Sequence, residues 1–342
     1  MYRLQHVCTD VPRDSNRGLQ GSRNDPIPKR TDMPKRYAIG IDLGGTNLRV
    51  ALVSRGGEII RKIKEATSEE IIDSIFKAAG SLFSDEIAGI GIGVAGLVDR
   101  KSNMILISPN LHVVERIDLV NEIRGKFRVP VFLENDANAA ALGEKWVGVG
   151  KDFSNFVLFT LGTGIGSGII YDKKLLRVSA EIGHMSIDVD GEKCPCGNSG
   201  CLESYASARA ILSKAVSALE KGRESLLREC CGGNFYKLTA EDIYKAALDG
   251  DNFARELLKN AGRYLGIGIA NIINLMSPES IILAGGLIGA WDIYIQEAIK
   301  EASRRAHKEL FDAVKIVPSS LMDDAGIIGS AGLVFQAEMS DR

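Results

Sequence analysis

From Tyr37 onward, short apolar runs alternate with polar, glycine-bearing breaks. Tyr37–Leu43 is mostly apolar and Asn47–Ser54 alternates, so with Gly44-Gly45-Thr46 between them the stretch 37–54 predicts a β-hairpin with a glycine-rich tip. Glu58–Glu65 follows the turn Arg55-Gly56-Gly57 as a third strand. Ser68 stands where it would cap a helix whose Ile71, Ile72, Ile75, Phe76 and Ala79 share one face. Ile87–Val94 and Val129–Glu134 read as buried strands, with a helix from Asp118 to Phe127 between them.

The same grammar restarts at Asn155. Phe156–Leu161 is an apolar strand, Gly162-Thr163-Gly164 a second tip, and Ile165–Tyr171 the returning strand. Helical periodicity then covers Ser207–Glu220, Ala240–Leu248 and Phe253–Met276. Ser280–Ala284 is a short strand ending at Gly285-Gly286, followed by a helix over Ala290–Lys308. A strand at Ala313–Val317 and a helix at Gly326–Ala337 close the chain. Strands alternating with helices indicate an α/β fold, and the repeated hairpin suggests two related domains. Their expected spans are 36–134 for a small domain, completed by 325–342, and 135–324 for a large one.

Composition narrows the partners. The 342 residues are 45% hydrophobic and 25% charged, with a net charge of −2. Nothing there calls for nucleic acid or an anionic membrane. No apolar run reaches the ~18–20 residues of a membrane span. Six cysteines, three of them clustered, suit a reducing cytoplasm and a metal site. Residues 1–35 carry Pro12, Pro26 and Pro28 among polar residues without periodicity and are expected to be a disordered extension. That stretch has no apolar core of a secretory signal, and Met33 stands as a possible start just before the first organised segment.

The chemistry concentrates in three places. Nine residues separate His184 from Cys194, one separates Cys194 from Cys196, and four separate Cys196 from Cys201. One imidazole and three thiols so close together suit a closed tetrahedral zinc site; a redox pair or buried free thiols is the alternative. A full shell of protein ligands leaves such a zinc structural. The two glycine tips offer backbone N–H groups that could clamp a polyphosphate from both sides, or they are ordinary hairpin turns. The pair Gly285-Gly286, between strand and helix, would leave a flat backbone surface for a nucleobase or ribose. Asn135 and Asp136 stand where a strand ends and an alanine-rich helix begins. Asp136 is either a helix N-cap or a carboxylate that accepts a hydroxyl proton beside bound phosphate, and the two are compatible. The helix amino end is expected to keep it ionised.

Taken together these motifs resemble the ROK family of sugar kinases and sugar-responsive repressors, over Tyr37–Phe335. Asp42-Leu43-Gly44-Gly45-Thr46-Asn47 resembles the family's first phosphate loop and Leu161-Gly162-Thr163-Gly164-Ile165-Gly166 the second. Glu134-Asn135-Asp136-Ala137-Asn138 resembles the segment of the catalytic aspartate. Glu181-Ile182-Gly183-His184 with Cys194-Pro195-Cys196-Gly197-Asn198-Ser199-Gly200-Cys201-Leu202-Glu203 resembles the zinc and sugar segment. The resemblance implies two actin-like, ribonuclease-H-like ATPase domains around an interdomain cleft. It implies ATP-dependent phosphorylation of a hexose, glucose first, at the 6-hydroxyl, with Asp136 as general base. Glu181, His184 and Glu203 are then expected at the anomeric end of the sugar, Asn135 and Asp136 at the other, with Gly96 and Asn110 lining the pocket. Asp42 would help organise magnesium, and Gly285 and Gly286 would lie on the adenosine side. A homodimer or homotetramer is implied as well. The alternatives are a kinase for N-acetylmannosamine, N-acetylglucosamine, mannose or fructose, or a non-catalytic sugar-sensing regulator. Two departures stand out: Gly93-Val94-Ala95-Gly96 lacks the proline many members carry, and the stretch before Glu181 is short.

Overall fold

The computed structural model describes residues 35–108 and 111–340. All but the last residue of the expected 1–35 extension, and the expected pocket residue Asn110, lie outside the described residues. In chain order the elements are β1 Tyr37–Leu43, β2 Asn47–Ser54, β3 Ile59–Ala66, α1 Ile71–Leu82, β4 Ile87–Val94, β5 Leu97–Asp99 and β6 Met104–Ile107. Then come α2 Leu119–Phe127, β7 Val131–Asn135, α3 Asp136–Trp146, β8 Phe156–Leu161, β9 Ile165–Tyr171 and β10 Lys174–Leu175. The remainder is α4 Glu203–Ala206, α5 Ala208–Glu220, α6 Leu227–Cys230, α7 Ala240–Leu248, α8 Asn252–Met276, β11 Ser280–Ala284, α9 Gln296–Arg305, α10 Lys308–Ala313, β12 Lys315–Pro318 and α11 Ala325–Ser340.

One five-stranded sheet runs β3-β2-β1-β4-β7 and another β10-β9-β8-β11-β12. In each, an antiparallel three-strand meander is extended by two parallel strands. The repeat of one topology is the doubled, ribonuclease-H-like arrangement of an actin-like ATPase. On the first sheet, Ile39, Ile41 and Ile92 pack with Ile71 and Ile75 of α1 and Ile123 of α2. The other face puts Ala38, Ala51 and Val53 against Ile327, Ala331 and Val334 of α11. The second sheet buries Val157, Phe159 and Leu283 under α5, α7 and α8, and turns Leu158 and Ile282 toward Ala140 and Ala141 of α3. Helices α3 and α11 thus lie side by side among both sheets. Apolar and small residues surround α11 as far as Phe335, as expected of a helix buried over most of its length. No helix among the described residues is long and apolar enough to cross a membrane.

Several local expectations shift. Ser68 does not cap α1: the cap position is Glu70, without a side-chain cap, and the Ser68 hydroxyl meets that of Ser74 at 3.0 Å. The expected helix 290–308 is broken into a 3₁₀ turn at Gly286–Ala290, a wide turn at Trp291–Ile295 and then α9. The cause is tertiary: the Tyr294 hydroxyl, fully buried, donates to Ala206 O at 2.7 Å, and its own carbonyl presses on Gly262. The short ribbon β5–β6 carries no clear periodicity in the sequence and appears only in the fold.

Glycine brings α11 into backbone contact with its neighbours. A Cβ on Gly91 of β4 would stand 1.7 Å from Ser330 O, and one on Gly329 of α11 only 1.6 Å from Ala139 O of α3. Both obstacles are main chain and have no rotamer to escape to. Gly329→Ala is therefore expected to cost at least ~3 kcal/mol in urea unfolding. Gly80→Ala, in α1 with nothing within 4 Å, should instead be neutral or stabilise by ~0.5–1 kcal/mol.

Candidate functional site

The end of β1 and the start of α3 meet. Asp42 pairs in register with Gly93 of β4, and a Cβ on Gly93 would lie 3.6 Å from the Asp136 Cα. The absent side chain at Gly93 lets the two carboxylates approach across β4. Asp136 is not the cap of α3. Asn135 takes that role, its Oδ1 accepting from Ala137 N at 2.9 Å and Asn138 N at 3.1 Å. Asn135 Nδ2 donates to Gly96 O at 3.0 Å, which ties the expected pocket glycine to the helix start. Asp136 is freed from capping and, partly exposed, keeps a bond from Ala137 N to Oδ1.

The helix amino end does not keep Asp136 strongly acidic, contrary to expectation. Burial, then the negative charge of Asp42, push its pKa up to about 7; backbone N–H groups pull the other way and Glu181 adds a further upward push. Asp42 is likewise raised, by burial and by Asp323 and Asp324, with Arg49 opposing at 3.5 Å.

The first tip is braced from behind: Gly44 N donates to Asn47 O at 3.0 Å, and the Thr67 hydroxyl to Gly44 O at 2.8 Å, leaving Gly45 and Thr46 exposed. The second is rooted on the helices that follow the cysteine loop. Gly162 O accepts from Ala208 N at 2.9 Å, and Ile165 N donates to Glu203 Oε2 at 2.8 Å. Gly164 lies close against this bond: a Cβ there would be 2.4 Å from that carboxylate oxygen. Gly285, at φ 93°, lies against Leu161 O beside the tip, and a Cβ on Gly286 would meet open space. Next to Thr163 opens a cavity of about 540 Å³, with Arg209, Leu212, Phe235 and Leu238 in its walls.

His184, Cys194, Cys196 and Cys201 converge. Their ligand atoms lie within 4.8 Å of one another, with His184 Nδ1 3.6 Å from Cys194 Sγ and Cys196 Sγ 3.7 Å from Cys201 Sγ. Tetrahedral zinc with Zn–S bonds of ~2.3 Å needs its donors about 3.8 Å apart, so the four fit the ion. Burial opposes the Cys194 thiolate, but hydrogen bonds from Cys196 win and bring it down to about 7; burial and the neighbouring sulfurs push Cys201 up to about 12. A zinc ion at their centre would hold all three sulfurs as thiolates. Gly197 and Gly200, at φ 93° and 71°, supply the left-handed turns that aim the sulfurs. A 3₁₀ turn over Ile182–His184 starts from Glu181, whose carbonyl accepts His184 N at 3.0 Å, and Gly183 sits so close to Ile165 O that a Cβ would be 2.2 Å away. Ile165 thus receives the histidine turn at its carbonyl and gives its amide to Glu203.

Some participants were not evident from the motifs. Glu134 is buried under a two-pronged bond from Arg100, at 2.9 and 2.6 Å, and accepts from Asn138 Nδ2 at 3.0 Å. Val178 O accepts from both Arg100 and Asn138. With Nδ2 held by two acceptors, Asn138 Oδ1 must be the oxygen, and it is buried without a partner among the described residues. It borders a cavity of about 30 Å³ walled by Gly96, Asn135, Ser167 and Glu181, room for one water or one hydroxyl. Arg100 lies 34 residues from Glu134, too far apart for any local pattern to join them.

The chain is similar to known proteins along most of its length. The family model described as ROK family matches residues 38–337. The glucokinase of Thermotoga maritima is 35% identical over 312 residues, 88% of this chain and 98% of the relative. The xylose repressor of Bacillus subtilis is 36% identical over 312 residues, 87% of this chain and 77% of its own length. The crystal structure of a ROK family glucokinase from Streptomyces griseus in complex with glucose and AMPPNP superposes with a TM-score of 0.77 at 33% identity, covering 88% of this chain and 99% of that one.

For the cysteine cluster, metal analysis of untreated protein should return one zinc per chain. Cys196→Ala, at the exposed ligand, should lose the ion and the amide-exchange protection of residues 186–201. Protection that survives chelation would show that the loop holds itself.

Proposed function

This chain belongs to the ROK family, and from that premise we propose that it transfers the γ-phosphoryl group of ATP to the 6-hydroxyl of a hexose, with glucose the preferred acceptor. The observation that carries the reading is Asp136: a carboxyl poised near neutrality, set between the first phosphate tip through Asp42 and the sugar segment through Glu181. A general base works best when its pKa lies near the operating pH.

In this reading Asn135, capping α3 and holding Gly96, positions Asp136. The sugar lies with its 6-hydroxyl at Asp136 and its anomeric end toward Glu181, His184 and Glu203. Asp136 accepts the hydroxyl proton as the sugar oxygen bonds to the γ-phosphorus and the bond to the β-bridging oxygen breaks, leaving ADP. The amides of Gly44–Asn47 and Gly162–Gly164 cradle the phosphates, and Gly285 and Gly286 face the adenosine. Magnesium, with Asp42 helping to hold it, would neutralise phosphate charge. Zinc held by His184, Cys194, Cys196 and Cys201 would keep Glu181, the free edge of His184 and Glu203 in place and would take no part in the chemistry. The five described cysteines form no disulfide, which suits a cytoplasmic enzyme. The repressor relatives support a second reading, sugar binding without turnover.

A coupled assay with ATP and a hexose panel decides between the two. Glucose should be phosphorylated, and Asp136→Asn should lower turnover at least ~10²-fold with the fold intact. Near-normal turnover would reduce Asp136 to a structural residue. Because the base acts only when ionised, kcat/KM should fall below about pH 7, and Asp136→Asn should lack that limb.

Stability should move the other way. A carboxyl raised from 3.8 to about 7 favours the folded state when protonated, so stability is lost as pH climbs through that window and is level above it. Substrate-free Asp136→Asn should therefore exceed the wild type by roughly 2–4 kcal/mol at pH 8, with the gap closing near pH 4.

A further inference from the structure

Glu203 has neither oxygen idle. Oε2 accepts the Ile165 amide at 2.8 Å and Oε1 accepts Arg209 Nη2 at 2.5 Å. The partners differ in setting: the Glu203 side chain is 12% exposed, that of Arg209 49%. Arg209 belongs to the first turn of α5, the helix whose opening residue Ala208 bonds Gly162 of the second tip. It also walls the 540 Å³ cavity beside Thr163. The one acid in that wall, Glu220, receives the Tyr236 hydroxyl at 2.7 Å. A single guanidinium therefore grips the acid assigned to the sugar while facing the space beside the tip assigned to phosphate.

We infer that Arg209 binds the phosphate chain of the nucleotide and, in turning to it, releases Glu203, so that nucleotide and hexose bind synergistically. The inference rests on the kinase reading above. A polyphosphate offers a planar guanidinium several paired oxygens and more charge than one carboxylate, and the bidentate fit favours the exchange. Half-exposed, Arg209 gives up little packing by moving. Glu203 keeps the Ile165 amide, so its position holds while Oε1 regains full capacity to accept a sugar hydroxyl. Linkage then requires that hexose tighten the nucleotide by the same factor.

The test is calorimetric titration of the full, zinc-loaded chain with glucose, with and without a magnesium-bound non-hydrolysable ATP analogue. In the wild type the analogue should lower the glucose Kd about 5–10-fold. In Arg209→Gln that factor should collapse to about one, with the KM for ATP up about 10-fold and kcat changed far less. Arg209→Lys, keeping charge without the fork, should recover part of the KM and less of the synergy. Zinc content and melting temperature of both variants should match the wild type. An active Arg209→Gln enzyme with unchanged ATP KM and unchanged synergy overturns the inference and leaves the kinase reading standing. A wild type that phosphorylates no hexose and binds no nucleotide overturns both.

Discussion

Main chain touching main chain, without intervening side chains, is the constraint from which the site follows. Gly91 and Gly329 let α11 rest directly on β4 and on α3, and a Cβ on Gly168 of β9 would stand 2.5 Å from Ala137 O of α3. Each contact removes the space of a methyl group at a point where nothing flexible could yield it. With α3 pinned between the two sheets, its first residue has one place to be, against Gly93 and hence beside Asp42. The juxtaposition of acids is thus a consequence of packing far from solvent.

The electrostatic character of the site comes from the same geometry. A carboxylate at a helix amino end should be a strong acid, since N–H dipoles favour its charge. Burial and a second acid across β4 outweigh that dipole, and Asp136 rises to about 7. The helix-capping work passes to Asn135, whose amide also reaches Gly96. On the other side of the site, Ile165 joins phosphate tip to sugar segment: its amide serves Glu203 and its carbonyl receives the histidine turn at Gly183. Zinc, holding that turn to Cys194, Cys196 and Cys201, would stiffen the assembly from outside.

Much of this is legible in the amino-acid sequence. The doubled hairpin with its glycine tips, the strands at 87–94 and 280–284 and the His-Cys-Cys-Cys cluster are local patterns, and local patterns survive projection onto a line. Two readings missed, the first for a local reason and the second because of a distant partner. Ser68 lost its capping role as α1 started at Ile71, and the helix after Gly286 was distorted by the burial of Tyr294 under Ala206. Arg100, Arg209 and Val178 belong to no motif and became visible only through the groups they touch.

By itself the amino-acid sequence determined most of the strands, tips and helices, and which four side chains would converge in a cluster able to hold a metal. Periodicity, glycine placement and ligand spacing are short-range properties written in consecutive positions. The ionisation of Asp136, the sharing of Glu203 between Ile165 and Arg209 and the unpartnered oxygen of Asn138 were decided only by tertiary structure. Each depends on burial and on charges or donors dozens of residues away, quantities that do not exist until the chain has closed on itself.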